Sequence, residues 1–186
     1  MKENENNVSK WDGWYKNLPE TPGAFLYGDT PTYKMASDFL NDCETIEDWG
    51  CGGGGFLRYC DRAIGVDGSD TPFATKKFIN LGEYTSEVDG IHIRHVFEHN
   101  YRWDKILRNA LKSAKKKISI TMFIPLGTET KEIAHNKPHG VDVPDMLISE
   151  NEFIGIVNEY NPKKIDRTIL KTATGYGNEE LIFIEF

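Results

Sequence analysis

Long hydrophobic runs are missing from this sequence of 186 residues. No apolar run approaches the roughly 20 residues that a membrane-spanning helix needs. The polar opening MKENENNVSK also lacks the apolar segment of a secretory signal. These absences predict a protein that does not enter a membrane, and we expect it in the cytoplasm.

Cysteine is also scarce, and its pattern excludes two kinds of site. The three residues Cys43, Cys51 and Cys60 cannot all pair, and their spacing is not that of zinc ligands. We therefore expect free thiols in a reducing compartment and no metal site. The segment AHNKPHGVDVPD could suggest metal ligands, but its prolines and glycine favour a loop with solvated charges. The residues concerned are His135, His139, Asp142 and Asp145.

Basic residues are outnumbered, because 22 lysines and arginines face 29 acidic residues and give a formal net charge of −7. Non-specific affinity for nucleic acid comes mainly from lysine and arginine side chains that displace counterions from phosphates. The acidic excess therefore makes nucleic acid an improbable partner.

What the sequence does contain is enough apolar material for a packed core. Hydrophobic residues make up 39% of the chain and aromatic residues 12%, so a disordered polymer is excluded. The length suits one domain over residues 1–186. Within it, residues 1–30 have the polar, turn-rich character of an N-terminal flap, and residues 126–148 form an unusually long connection.

Strand and helix patterns alternate along the chain. This order predicts an α/β fold, with a doubly wound, mostly parallel sheet covered by helices on both faces. A C-terminal hairpin follows. The predicted helices run from Thr30, as N-cap, to about Asn41, from the glycines to about Cys60, over 101–115, and from the Ser149 capping box. The predicted strands lie at 45–49, 63–66, 77–81, 90–94, 117–124, 165–171 and 181–186.

Four consecutive glycines follow the first strand, and two motifs fit them. Gly50, Gly52 and Gly55 match G-x-G-x-x-G, which binds dinucleotides. Asp48, Gly50, Gly52 and Gly54 match D-x-G-x-G-x-G equally well. Ligands of such sheets bind at the carboxyl ends of the strands, where this turn lies.

Charge favours one of the two motifs. The pyrophosphate of a dinucleotide is anionic, and the carboxylate of Asp48 beside the turn would repel it. S-adenosylmethionine instead carries an ammonium and a sulfonium, which a carboxylate favours. Asp67, at the end of the next strand, suits either cofactor because both have ribose hydroxyls.

Two further segments resemble those of the class I S-adenosylmethionine-dependent methyltransferases. Asp48-Trp-Gly-Cys-Gly-Gly-Gly is similar to their first motif, and Gly65-Val-Asp67-Gly-Ser69 to the segment that follows it. The stretch from Asp89 to His99, which ends Val-Phe-Glu-His, resembles their fourth strand and its exit. The resemblance covers about residues 44–125. It implies a Rossmann-like, seven-stranded sheet that ends in an antiparallel hairpin.

The same resemblance implies which residues contact S-adenosylmethionine. The turn, with Asp48 assisting, would line the methionine part of the cofactor, and Asp67 would bind the ribose. Gly68 and the pair Asn80-Leu81 would lie near the adenine, with Glu83 as the second choice. Arg94 and His95 would lie near the transferable methyl. The full set is Asp48, Trp49, Gly50, Cys51, Gly52, Asp67, Gly68, Asn80, Leu81, Arg94 and His95.

The predicted function is transfer of this methyl group to a small-molecule acceptor, such as a sugar or another metabolite, with S-adenosylhomocysteine as product. His95 is the first candidate for a general base. The N-terminal flap and residues 126–148 would form the acceptor pocket, since long loops often carry function. The N-P-P-Y and D-P-P-Y motifs of amino-methylating DNA enzymes are missing.

Two other functions remain open from the sequence. An NAD-type oxidoreductase could use the same glycines, although it would lack a Tyr-x-x-x-Lys proton donor. A non-catalytic regulatory domain could bind S-adenosylmethionine without having an acceptor cleft. The sequence predicts no oligomeric state.

Overall fold

The computed structural model describes residues 8–173 and 175–186. Within this part of the chain, strands alternate with helices before a C-terminal hairpin. The strands are β1 (Ile46–Trp49), β2 (Ala63–Val66), β3 (Ala74–Lys76), β4 (Val88–Arg94), β5 (Ala114–Met122), β6 (Lys131–Asn136), β7 (Val143–Leu147), β8 (Lys164–Lys171) and β9 (Asn178–Glu185). The helices are α1 (Asp12–Tyr15), α2 (Thr30–Phe39), α3 (Trp103–Ser113) and α4 (Glu150–Asn158).

Seven of the strands form one sheet in the order β3-β2-β1-β4-β5-β9-β8. The five strands from β3 to β5 are parallel, whereas β9 is antiparallel to both β5 and β8. The chain thus winds outward from β1 in one direction and then in the other. The predicted Rossmann-like, mostly parallel seven-stranded sheet with a C-terminal antiparallel hairpin is confirmed.

The two faces of the sheet carry different layers. Helices α3 and α4 pack on one face, in a core that includes Ile91 and Ile93 of β4. Helix α2 lies on the other face, in a smaller cluster that includes Phe56. Because side chains alternate along a strand, His92 and Arg94 point to this second face. None of the helices within the described ranges is long and apolar enough to cross a membrane.

The prediction of a helix after the glycines is wrong. The chain from 52 to 59 makes consecutive turns, although Phe56 still packs beneath α2. The physical reason is the glycines themselves, since each costs about 1 kcal/mol in a helix relative to alanine. Gly50, Gly52 and Gly54 all adopt positive φ angles here, which a right-handed helix excludes.

Other element boundaries also differ from the prediction, most of them by one to three residues, and the third strand and α2 differ for identifiable reasons. The third strand lies at Ala74–Lys76 and not at 77–81. The chain leaves the sheet because Phe78 has a φ of 59°, which no strand permits. Helix α2 has Asp29 and not Thr30 as its N-cap, with Pro31 in its first turn as predicted.

The long connection at 126–148 contains structure that the sequence did not predict. Strands β6 and β7 pair as an antiparallel hairpin, joined through a short 3-10 turn at Pro138–Gly140. Met146 and Ile148 anchor the hairpin in the main core. The segment interpreted as a loop therefore lies partly in these strands.

One of the two hydrogen bonds of the predicted capping box at the start of α4 is formed directly, and Thr130 bridges the other. The Ser149 hydroxyl accepts a hydrogen bond from the Glu152 N–H at 3.4 Å. The Ser149 N–H donates to the Thr130 hydroxyl at 2.9 Å, and that hydroxyl donates to the Glu152 carboxylate at 2.7 Å. Thr130 thus completes the box and ties the hairpin connection to α4.

A buried carboxylate fixes the central strands to β3. Glu47 of β1 accepts hydrogen bonds from Lys76 at 2.6 Å, Tyr84 at 3.0 Å, Ser86 at 2.7 Å and the Trp49 indole at 2.8 Å. Its four partners come from β1, β3 and the connection to β4. A buried charge with this many donors is stable only while all of them remain in place.

We expect Glu47→Ala to lower the free energy of unfolding by about 1–3 kcal/mol, because it leaves the Trp49 indole and the Tyr84 and Ser86 hydroxyls without their acceptor, whereas the freed Lys76 can reach water. Urea denaturation would measure the change. Lys115→Ala is the matched control, since the ion pair of Lys115 with Glu87 is exposed and should contribute less than about 1 kcal/mol. Equal effects of the two substitutions would contradict this view of Glu47.

Candidate active site

A cavity of about 660 Å³ opens at the carboxyl ends of the parallel strands. The glycine turn after β1 and the end of β2 form one side of it, and the exit of β4 forms another. Every residue of the predicted cofactor set except Trp49 lines this cavity. The sheet topology therefore brings together residues that are up to 47 positions apart in sequence, from Asp48 to His95.

Trp49 and Leu81 are placed differently from their predicted neighbours. The Trp49 side chain is fully buried in the main core, where its ring packs 5.3 Å from that of Tyr84. The alternation along β1 turns Trp49 away from the side that Asp48 faces. Leu81 borders the cavity and also belongs to the core, and its carbonyl accepts a hydrogen bond from Asn109 at 2.9 Å.

The glycine turn has a shape that other residues would not permit. At Gly50, where φ is 74°, an added Cβ would lie 2.4 Å from the Val96 side chain. At Gly52, it would lie 3.1 Å from the Tyr15 hydroxyl. Bare backbone thus faces the cavity, which allows a ligand to approach the turn closely.

Asp67 is tied to the turn by its backbone contacts. Its carboxylate accepts hydrogen bonds from the N–H groups of Gly52 and Ser69, both at 2.9 Å. Burial raises the pKa of Asp67 to about 6, and these hydrogen bonds oppose the shift. The acid is therefore held in a fixed position and remains largely ionised near neutral pH.

Asp48 is buried in the same cavity but has no comparable support. Its carboxylate has no hydrogen-bond partner among residues 8–173 and 175–186. Burial, and then the nearby charge of Asp67, raise the pKa of Asp48 to about 8, while Arg94 opposes the shift. Near neutral pH this carboxyl holds a proton that a cationic ligand would displace.

Arg94, at the end of β4, belongs to a buried network. Its guanidinium donates to Glu179 of β9, to the Tyr27 carbonyl at 2.7 Å and to the Thr32 hydroxyl at 2.8 Å. The ring of Tyr33 lies 3.9 Å from the guanidinium carbon. Burial opposes ionisation of Glu179, but contacts with His95, Arg94 and Thr32 outweigh it and lower the pKa of that carboxyl.

His95 shares Glu179 with Arg94, through a contact of 2.9 Å between Nε2 and a carboxylate oxygen. An ionised carboxylate only accepts, so Nε2 carries the proton and Nδ1 has a free lone pair. This Nδ1 is buried without a hydrogen-bond partner in the described structure. Burial lowers the pKa of His95 to about 4, so the ring is neutral at physiological pH.

Sequence reasoning missed Glu179, because no local motif marks it. Glu179 lies 84 positions after His95 and meets it only through the pairing of β9 with β5. A signal was nevertheless present: Glu179 and Glu180 stand directly before an apolar strand pattern. Buried carboxylates need cationic or hydrogen-bonding partners, so acids at such positions indicate buried networks.

The N-terminal segment covers the end of β2. The Ser9 N–H donates to the Gly68 carbonyl at 2.8 Å, and the Trp11 N–H donates to the Ser69 hydroxyl at 3.0 Å. Trp11, Tyr15 and Tyr27 also line the cavity. The described part of the predicted flap, from residue 8 onward, therefore lies over the site, while residues 1–7 fall outside the described residues.

The β6–β7 hairpin reaches the same part of the site. The ring of His139 stacks on Trp14, with centroids 3.7 Å apart and planes 14° apart. Phe25 packs edge-on against both rings. His139 and Pro138 line the cavity. The flap and the 126–148 segment therefore meet above it.

The four residues that could have suggested a metal site lie in separate interactions. His135 and Asp142 form an exposed pair on the hairpin. His139 stacks on Trp14, as described. Asp145 lies 3.3 Å from Nδ1 of His99, which also contacts the Pro144 carbonyl at 3.0 Å. The three cysteines are buried free thiols, as the sequence predicts.

The strand order, the glycine turn and the cavity at the carboxyl ends together define the Rossmann-like fold of class I S-adenosylmethionine-dependent methyltransferases. One similar structure is the 1,6-didemethyltoxoflavin N1-methyltransferase of Burkholderia thailandensis, with bound 1,6-didemethyltoxoflavin and S-adenosylhomocysteine. The two share 13% identity over 84% of this chain and 76% of the other, with a TM-score of 0.64.

Two other similar structures have the same fold. The N-terminal domain of EvdMO1, with S-adenosylhomocysteine bound, is 11% identical over 98% of this chain and 99% of its own, with a TM-score of 0.62. Magnesium protoporphyrin IX methyltransferase from Synechocystis PCC 6803, with S-adenosylmethionine bound, is 12% identical over 83% and 77%, with a TM-score of 0.59. Neither a family model nor a curated protein matches the sequence.

The raised pKa of Asp48 predicts how the stability of the cofactor-free protein depends on pH. Between pH values near 4 and 8, the unfolded chain releases the Asp48 proton while the folded protein keeps it, so stability falls as pH rises. We expect Asp48→Asn to remove this loss. Its melting temperature should match the wild type near pH 4 and exceed it increasingly towards pH 8.

Thermal unfolding followed by circular dichroism across this pH range would measure the difference. Asp61→Asn, at an exposed position, is the control and should show no such trend. A constant difference between Asp48→Asn and the wild type at all pH values would contradict the assignment of the raised pKa to Asp48.

Proposed function

We propose that this protein is a methyltransferase that uses S-adenosylmethionine to methylate a small molecule. The observation that carries the proposal is the unpaired carboxyl of Asp48, buried in the cavity beside a glycine turn. When ionised, this carboxyl favours a positively charged group of the ligand, whereas a dinucleotide would place an anionic phosphate there. The similar structures that hold S-adenosylmethionine or S-adenosylhomocysteine support the same cofactor.

The residues of the cavity fit such a cofactor in a definite arrangement. Asp48 and the backbone of Gly50, Cys51 and Gly52 would hold the methionine part. Asp67 already accepts two backbone N–H groups, and its remaining lone pairs suit ribose hydroxyls. Gly68, Asn80 and Leu81 would flank the adenine, and Trp49 would support the turn from the core.

When bound, S-adenosylmethionine supplies a methyl group that its sulfonium already makes electrophilic. The protein then has to position the acceptor in line with that methyl and exclude water. The flap and the hairpin, which meet through Trp14 and His139, would provide that cover. His95, oriented by Glu179, would accept the proton of a hydroxyl acceptor at Nδ1.

The acceptor class follows from the remaining walls of the cavity. Trp11, Tyr27, Tyr176 and His139 supply flat faces, which suit a sugar ring or another small cyclic metabolite. We propose residues 126–148 as the acceptor-side insertion. The net charge of −7 disfavours nucleic acid as the acceptor. The three free thiols support a reducing compartment, and we propose the cytoplasm.

The alternatives are less well supported. An NAD-type oxidoreductase would place a pyrophosphate beside the Asp48 carboxyl, which repels it once ionised. A regulatory domain would need no cleft beyond the cofactor, yet the cavity extends under the flap and hairpin. We therefore retain methyl transfer as the proposal.

Isothermal titration with S-adenosylmethionine, S-adenosylhomocysteine and NAD tests the cofactor. We expect the two sulfur compounds to bind and NAD to give no heat of binding. Asp67→Ala should weaken the binding of S-adenosylhomocysteine by about 1.5–3 kcal/mol, the value of hydrogen bonds to a charged group. Tight binding of NAD alone would refute the proposal, and unchanged affinity in Asp67→Ala would exclude this acid as the ribose ligand.

The role of His95 can be tested with S-adenosylmethionine labelled in its methyl group and a panel of monosaccharides and phenols. We expect His95→Gln to lower the rate of label transfer by about 100-fold or more, as loss of a general base does, while S-adenosylhomocysteine still binds. His135→Gln, at the exposed end of the hairpin, is the control. Full activity of His95→Gln would show that His95 is not the base.

A further inference from the structure

His92 stands in the middle of β4, at a position where a buried strand normally carries an apolar side chain. Its neighbours in register are Asp48 on β1 and Ser119 on β5. The residue is fully buried, and it lines the cavity together with Asp48. A polar ring therefore lies under the glycine turn, beside the carboxyl that has no partner.

The packing of the ring fixes where its nitrogens point. Phe56 stacks on it, with centroids 4.1 Å apart and planes 23° apart. Nδ1 lies 3.4 Å from the Ser119 hydroxyl, on the β5 side. The two nitrogens of an imidazole point away from each other, so Nε2 is turned away from β5. Because β4 lies between β5 and β1, this direction is the side of β4 on which β1 and Asp48 lie.

Nε2 is buried and has no hydrogen-bond partner among the residues that the structure describes. Burial, and then the charges of Arg94 and His95, lower the pKa of His92 well below its usual value, so the ring is neutral. The Ser119 hydroxyl can accept a proton from Nδ1, and in that tautomer Nε2 has a lone pair. Once a cationic ligand has displaced the Asp48 proton, His92 and Asp48 present two acceptors on adjacent strands, and neither has a donor among the described residues.

Two buried acceptors without a donor call for a ligand that brings N–H groups. A sulfonium has none, and ribose hydroxyls are already accounted for by Asp67. The α-ammonium of an amino acid has three N–H donors and a positive charge, and so matches a carboxylate and an imidazole lone pair together. This group belongs to the methionine part of the cofactor, which the glycine turn would hold.

We propose that Asp48 and Nε2 of His92 together bind the α-ammonium group of the cofactor. The inference rests on the proposed function and adds a residue from outside the predicted set. His92 acts here as a binding residue that selects for the amino-acid end of the ligand. Its Nδ1 contact with Ser119 is a positioning contact.

Binding of three ligands would distinguish this role from a general effect on the cavity. They are S-adenosylhomocysteine, its decarboxylated form and 5′-methylthioadenosine. The decarboxylated form keeps the amine, whereas 5′-methylthioadenosine lacks the whole amino-acid part. We expect His92→Leu to weaken binding of the first two about tenfold or more, as loss of a charge-assisted hydrogen bond does. Binding of 5′-methylthioadenosine should change less than about twofold.

Two variants serve as matched controls, and thermal unfolding would verify that each one folds. His92→Gln keeps an acceptor oxygen near the position of Nε2, so it should retain most of the affinity for S-adenosylhomocysteine. His135→Leu makes the same change of residue type at an exposed position on the hairpin, so it should leave the affinity for all three ligands unchanged. A crystal structure of the wild type with S-adenosylhomocysteine should place the amine nitrogen within hydrogen-bond distance of Nε2.

Several results would overturn the inference. One is equal loss of affinity for all three ligands in His92→Leu, and another is unchanged affinity for S-adenosylhomocysteine. If His92→Leu does not fold, an amine nitrogen beyond hydrogen-bond distance of Nε2 in the wild-type complex would overturn it as well. Failure of the wild type to bind any of the three ligands would instead refute the proposed cofactor, which is a distinguishable outcome.

Discussion

The buried ion pair between Arg94 and Glu179 is the interaction on which the site depends. It joins the end of β4 to the start of β9, and through Thr32 and the Tyr27 carbonyl it also holds helix α2 and the flap. A buried charge that loses its partner costs several kcal/mol, so these elements are constrained to move as one. The same carboxylate orients His95. The position of a candidate catalytic ring thus follows from the ion pair that joins β4 to β9.

A second electrostatic feature lowers the stability of the empty protein, whereas the ion pair holds its elements together. Asp48 and Asp67 are buried in one cavity, and burial raises the pKa of both carboxyls, to about 8 and about 6. Acids arranged in this way lower the stability of the empty protein as pH rises from about 4, up to about pH 6 for Asp67 and about pH 8 for Asp48. Such a cost is typical of functional sites, where a bound ligand compensates for it. Nε2 of His92, buried without a hydrogen-bond partner among the described residues, is a further polar atom that a ligand could satisfy.

The sequence predicted the sheet better than it predicted the details of the site. The capping box at Ser149 and the hydrophobic face of α3 are local patterns, and local chemistry determines them. The prediction of a helix after the glycines was wrong because consecutive glycines favour turns. The turns still place Phe56 in the core under α2. The third strand was misplaced because Phe78 adopts a positive φ, which its residue type does not indicate. The hairpin of residues 126–148 was missed because both strands are short and β6 is mostly exposed, so it has no apolar pattern.

By itself, the sequence determined the alternation of elements, the glycine turn and the two acids that flank it, since each depends on neighbouring residues in the chain. Only the tertiary structure decided that Glu179 supports His95, that His139 stacks on Trp14 and that His92 lies opposite Asp48. These contacts join residues 44 to 125 positions apart. Their physical cause is strand order and register, which depend on how all seven strands pair and which no local pattern encodes.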